Sequence, residues 1–365
     1  MIDFIPLQHY YDIYINLVFF IVICILLHTY TLTGYEEKVF ALNRSLSIFI
    51  LVFLIIFIGF RPISGLYFVD MSTYASSFEL YKSGMPLFTE GDIGFDLFMF
   101  YLAKLGSIDL FFVLCAVLYI LPLYIASKIW FPKYHLFAFI MLLASFSFYT
   151  YGVNGMRNGI ATSLFILGIS LSEKRVLMIV VLLIAMSIHQ SMKLPVLAFI
   201  LTYFIDDSKK YFLFWVFSIF LSIAIGPTLV SLFSQLGLGG EKLSGYLATK
   251  PSAEDFKSVG FRYDFLIYGA IPVYAGYYFI IKKKYSDVLY KRILHTYLIC
   301  NAMWIMVNTA NFSNRFAYLS WFLMGIVICY PYLKQIFWKK QFYKIGIITL
   351  LYFSFTYLMS YVYYG

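Results

Sequence analysis

The chain has 365 residues, 62% hydrophobic and 12% charged, against about 45–50% apolar and about 25% charged in an ordinary soluble domain. With 40 Phe and 34 Tyr and a mean hydropathy of +0.84, too little polar surface remains to face water. A soluble enzyme, a secreted disulfide scaffold and a disordered adaptor are excluded, and the net charge of +9 needs an explanation that suits a membrane.

Residues 1–11 carry Asp3 as the one acidic residue, no Lys or Arg, and no small-residue cleavage site, so the first apolar run is expected to stay in the protein. Apolar runs bounded by charge or by Gly and Pro predict about twelve transmembrane helices. They fall near 13–32, 45–60, 109–127, 134–150, 157–172, 175–189, 192–206, 211–233, 263–281, 293–309, 315–333 and 345–362. A spanning helix takes about 20 residues, so twelve use roughly two thirds of the chain and leave no room for a separate water-soluble domain. The expected fold is an all-α polytopic membrane protein, one integral membrane domain over residues 1–365. Two connections are long, 61–108 and 234–262, and both are expected on the outer side. Cys24, Cys115, Cys300 and Cys329 lie inside apolar runs without metal-ligand spacing, which reads as core filler.

Basic residues set the orientation, because loops retained in the cytoplasm carry them in excess. Alternate loops starting at 34–44 hold 17 of the 27 Lys and Arg and 6 of the 18 acids, net +11; the remainder hold 10 and 12, net −2. The first set is therefore expected in the cytoplasm and both termini outside. The positive balance labels topology against anionic lipid; no nucleic-acid partner is implied.

The outward loops nevertheless each keep an isolated cation amid Gly, Asn, Ser or His. These are Arg61 in GFRPISG, Arg157 in YGVNGMRNG, Lys193 in SIHQSMKLP, Arg262 in SVGFRYDF and Arg315 in ANFSNRF. One such residue is explained by snorkelling to headgroups; five on one face point to an anion. Gly152, Asn154 and Gly155 predict a helix that restarts near Met156, and the dipole and open N–H groups of that start would add to the Arg157 guanidinium. Arg315 follows possible caps at Asn311, Ser313 and Asn314 in the same manner. Two such arginines, forked and always charged, suit a phosphate gripped from two sides.

In the first long loop, Asp70, Tyr74 and Phe78 recur every four residues and predict a helix ended by Gly84 and Pro86, with Asp70 as either N-cap or working carboxylate. A second amphipathic stretch, 95–105, follows Asp92 and Gly94, and both are expected to lie along the interface above a cavity. His189, at the outer end of the sixth span, is either a proton acceptor or a histidine bonded to a neighbouring helix. The glycine-rich 234–262 loop, with Tyr246 and Lys250, reads as a lid or a linker. No acid falls mid-span, no internal repeat is evident, and no DxD, HExxH, Walker or GxSxG motif occurs, so ion coupling, metal and nucleotide chemistry gain no support.

The series Arg61, Asp70-x-x-x-Tyr74, Asp92-x-Gly94-Phe95, Arg157 before Ile160-Ala161, His189-x-Ser191 and Asn314-Arg315-Phe316-x-x-Tyr318 resembles the EpsG-like, Wzy-type polymerases of O-antigen and capsular polysaccharide. It departs from them at Asn158, where Gln is frequent, and at Asp92, where Glu is common. The resemblance implies a C-type, inverting, cofactor-free membrane glycosyltransferase at the outer face of a bacterial inner membrane. Its substrates would be oligosaccharide repeat units linked to undecaprenyl diphosphate, and a chain-length regulator is the protein partner such an enzyme would have. On this reading Arg157 and Arg315, then Arg61 and Arg262, hold diphosphate. His189, then Asp70, takes the acceptor proton; Tyr74, Asp92, Tyr246 and Lys193 contact glycan. A lipid-linked oligosaccharide flippase and an O-antigen ligase are the competing readings.

Overall fold

In lipid a backbone must satisfy its own hydrogen bonds, which leaves helices as the economical solution for a chain this apolar. The computed structural model describes residues 4–32, 37–89, 91–235, 261–310 and 313–364, and among them no strand occurs. The helices in chain order are α1 (Tyr10–Thr31), α2 (Glu37–Gly59), α3 (Val69–Lys82), α4 (Ile93–Leu105), α5 (Ile108–Trp130), α6 (His135–Leu143), α7 (Phe148–Val153) and α8 (Met156–Ser170). They continue with α9 (Arg175–Ile188), α10 (Lys193–Leu201), α11 (Ser208–Gln235), α12 (Tyr263–Tyr277), α13 (Val288–Met306), α14 (Asn314–Trp321), α15 (Met324–Lys334) and α16 (Gln341–Tyr364).

Among the described residues, seven stretches are long and apolar enough to cross a membrane: Leu7–Thr31, Ala41–Gly59, Ile108–Trp130, Ser208–Phe233, Tyr263–Lys282, Arg315–Lys334 and Gln341–Val362. The other predicted spans correspond to shorter or more polar helices. The 134–150 run divides into α6 and α7 around Ser145 and Ser147, whose hydroxyls bond to each other at 3.0 Å. α8, α9 and α10 have 15, 14 and 9 residues, and α13 carries Lys291, Arg292, His295 and Asn301 along its 19. In α11 the helix breaks at Ile225 (φ −138°, ψ 26°), two residues before Pro227, where the ring collides with the preceding turn.

The chain packs as two compact units, residues 1–189 with 332–365, and residues 190–331. In the first, α5 packs on α2 and α8, α8 on α9, and α1 on α16. The two amphipathic helices of the first long loop form as the spacing predicts, and Gly84, at φ +103°, turns the chain beyond α3 in a conformation that glycine adopts without strain. Aromatic rings join these two helices to the next. Tyr74 meets Phe95 at 5.3 Å, Phe78 meets Phe111 at 5.6 Å and Phe95 meets Phe111 at 5.9 Å between centroids, which seals α3 and α4 onto the start of α5. In the second unit the polar groups are tied together: Asn301 accepts from Trp215 Nε1 at 2.8 Å and donates to Ser320 Oγ at 3.1 Å.

Candidate functional site

α8 begins after Gly155, which occupies the N-cap without a side-chain hydrogen bond to offer. Arg157 therefore enters with the first turn, at the positive end of the helix dipole. Its guanidinium is held from two sides. Nη1 donates to Asp92 Oδ2 at 2.8 Å and Nε donates to Tyr74 Oη at 3.0 Å. The Tyr74 and Phe95 rings lie 5.6 and 5.9 Å from its Cζ. Such charge-assisted bonds are short and directional, so a long, flexible side chain stands in one orientation.

Each partner comes from a separate element. Tyr74 sits one turn into α3, and burial pushes its phenol up to about 12, against the opposing pull of Arg157, so it keeps its proton at neutral pH. Asp92 occupies the N-cap of α4 and is 8% exposed. The start of α4 is fixed in turn by Gly94: a Cβ there would stand 2.9 Å from the backbone carbon of Ser187 and collide with the Ser187 hydroxyl. That close approach sets the Asp92 turn against the last turn of α9, two residues before His189. Because α8 and α9 pack along each other through a short connection, Arg157 and His189 lie at the same end of the pair. His189 leaves α9 in extended conformation (φ −151°, ψ 124°), half-buried, its N–H bonded to the Ala185 carbonyl at 3.2 Å.

Other expected residues take different positions. Tyr74 and Asp92, expected at the glycan, have Arg157 as their shared partner. Asp70 is not the N-cap of α3, which is Phe68; it lies half-buried in the first turn. Arg61, expected at the diphosphate, is 1% exposed and faces inward. It donates to the carbonyl of Ile58, to the carbonyl of Val153 at 2.9 Å and to Met156 Sδ at 3.3 Å. The rings of Phe68 and Phe112 lie 5.4 and 5.8 Å from its Cζ. Burial lowers its pKa to about 10, which leaves it cationic at neutrality but with no open face for a ligand.

The remaining candidates belong to the second unit. Arg262 grips Asp264 in a fork, Nε to Oδ1 at 2.9 Å and Nη2 to Oδ2 at 2.6 Å, over the Phe265 ring at 4.0 Å. Asp264 was missed as its partner, although the Arg-x-Asp spacing was there to be read. Arg315 is exposed in the first turn of α14, whose N-cap, Ser313, makes no side-chain capping bond. Lys193 is exposed at the start of α10, its Nζ 3.5 Å from Gln190 Oε1. Tyr246 and Lys250 lie outside the described residues. Among those described, no group of three or more His, Cys, Asp or Glu is placed to share a metal.

What the arrangement in the first unit offers is an oriented guanidinium at a helix start, with a carboxylate, a phenol and, at the same end of the α8–α9 pair, an imidazole. The sequence model of the EpsG family matches residues 44–364. No curated protein and no solved structure matches the chain.

Proposed function

The chain belongs to the EpsG family, and on that premise we propose that it is a membrane polysaccharide polymerase that joins oligosaccharide repeat units carried on undecaprenyl diphosphate. The observation that carries this reading is Arg157, held by Asp92 and Tyr74 in the first turn of α8. An acceptor sugar hydroxyl attacks the anomeric carbon of the donor glycan from the side opposite the diphosphate. The carbon–oxygen bond to the diphosphate breaks, the lipid diphosphate leaves with the bonding electrons, and the anomeric configuration inverts. Charge develops on the leaving group where water is scarce, so a preoriented cation lowers the barrier. Hydrogen bonds to charged groups contribute about 1.5–3 kcal/mol each. The lipid diphosphate is already an activated leaving group, so neither a nucleotide nor a cofactor enters the scheme.

Arg157 is the proposed diphosphate ligand, and Arg315 a second proposed contact to lipid-linked substrate, on the strength of its exposure at a helix start. Arg262, gripped by Asp264, is the weaker candidate. His189 is the proposed acceptor of the hydroxyl proton and Asp70 the alternative. Tyr246 and Lys193 remain proposed glycan contacts, whereas Tyr74 and Asp92 act on the reaction by orienting Arg157. The reaction is assigned to the periplasmic face of a bacterial inner membrane, with both termini on that side and a chain-length regulator as the expected protein partner.

Deleting the protein from its cell tests the class. Single, unpolymerised repeat units on the outer surface are expected. Units trapped inside would indicate a flippase, and long polymer left on its lipid diphosphate carrier would indicate a ligase.

A further inference from the structure

Two connections that are far apart in sequence lie side by side in the first unit: 131–134, between α5 and α6, and 335–340, between α15 and α16. Lys334 Nζ is 5.7 Å from the Phe131 ring, and the Phe342 ring lies 5.1 Å from Tyr134 and 6.1 Å from Phe137. The two adjacent connections and the helix ends that flank them carry Lys128, Lys133, Lys334, Lys339, Lys340 and Lys344, and neither 128–134 nor 334–344 contains an acidic residue.

The second connection is also built rather than loose. Gln341, 3% exposed, accepts from the Phe337 N–H at 2.7 Å and donates to the carbonyls of Tyr332 and, at 2.8 Å, Gln335. Trp338 stacks on Tyr332 at 5.4 Å and carries Lys344 Nζ 4.1 Å from its ring, and Ile336 projects outward, 51% exposed. The patch stands at the ends of three stretches able to span a membrane, Ile108–Trp130, Arg315–Lys334 and Gln341–Val362. Trp and Lys side chains settle at this depth, between acyl chains and headgroups.

We propose that this two-turn lysine patch is a binding site for the headgroup of an anionic glycerophospholipid, best filled by one with two phosphodiesters, since each turn supplies its own cations. The site is independent of the polymerase reading. It is tested on the purified full chain by native mass spectrometry with diphosphatidylglycerol, phosphatidylglycerol and phosphatidylcholine. Diphosphatidylglycerol should be retained most strongly and phosphatidylcholine least. At roughly fivefold for each cation at the surface, the double variant Lys339→Gln/Lys340→Gln should weaken retention about 25-fold, while Lys82→Gln, on α3, changes nothing. Equal retention of phosphatidylcholine, or an unchanged double variant, would overturn the proposal. So would complete displacement by millimolar inorganic phosphate, which would assign the lysines to a free anion.

Discussion

Arg157, Tyr74 and Asp92 come from three helices and meet within hydrogen-bonding distance, so their contributions separate by substitution. Arg157→Ala should abolish long-chain glycan while the protein still accumulates in the membrane. Arg157→Lys keeps the charge but loses the fork and should restore only a small part of the product. Tyr74→Phe removes the acceptor of the Nε bond alone. If that bond orients the cation, initial rates should fall about tenfold or more, and an unchanged rate would remove Tyr74 from the machinery. Arg61 behaves differently because it holds backbone. Arg61→Ala leaves the Ile58 and Val153 carbonyls without their donor and opens a void, at a cost of about 2–5 kcal/mol. A lowered melting temperature of the detergent-purified protein is the expected outcome; lost activity at unchanged melting temperature would return Arg61 to the diphosphate. His189→Ala should slow turnover on lipid-linked repeat units, and full turnover would eliminate it as the base.

At the scale of elements, the approach of α4 to α9 is as consequential as any side chain. Gly94→Ala forces the first turn of α4 away from the Ser187 backbone and moves Asp92 with it. Polymer length and yield should drop well below those of Leu105→Ala, a change at the exposed far end of the same helix. Equal effects would show that the packing is incidental. α3 and α4 were legible because four-residue spacing, Gly84 and the Asp92–Gly94 pair are local signals. The restart of α8 at Met156 was legible for the same reason. The division of 134–150 into α6 and α7 was not, because hydropathy is uniform across the break and only two serines mark it. Nor could spacing pair Asp92 with Arg157, which stand 65 positions apart, or distinguish the buried Arg61 from the more exposed arginines in equally polar loops. Burial decides that difference, and burial belongs to the packed chain.

Across the whole molecule, composition alone required a membrane protein, and the described residues, helical and without a strand, agree. Uniformly apolar helices reveal their existence more readily than their lengths, which is why stretches of 9 to 15 residues look like full spans in sequence. The most direct measurement is incubation of the purified full chain with one defined undecaprenyl-diphosphate-linked repeat unit, followed by separation of the products. A ladder of lengthening lipid-linked glycans with release of undecaprenyl diphosphate, absent for Arg157→Ala, is the predicted result. No ladder from an intact, folded protein, or an undiminished ladder from Arg157→Ala, would contradict it.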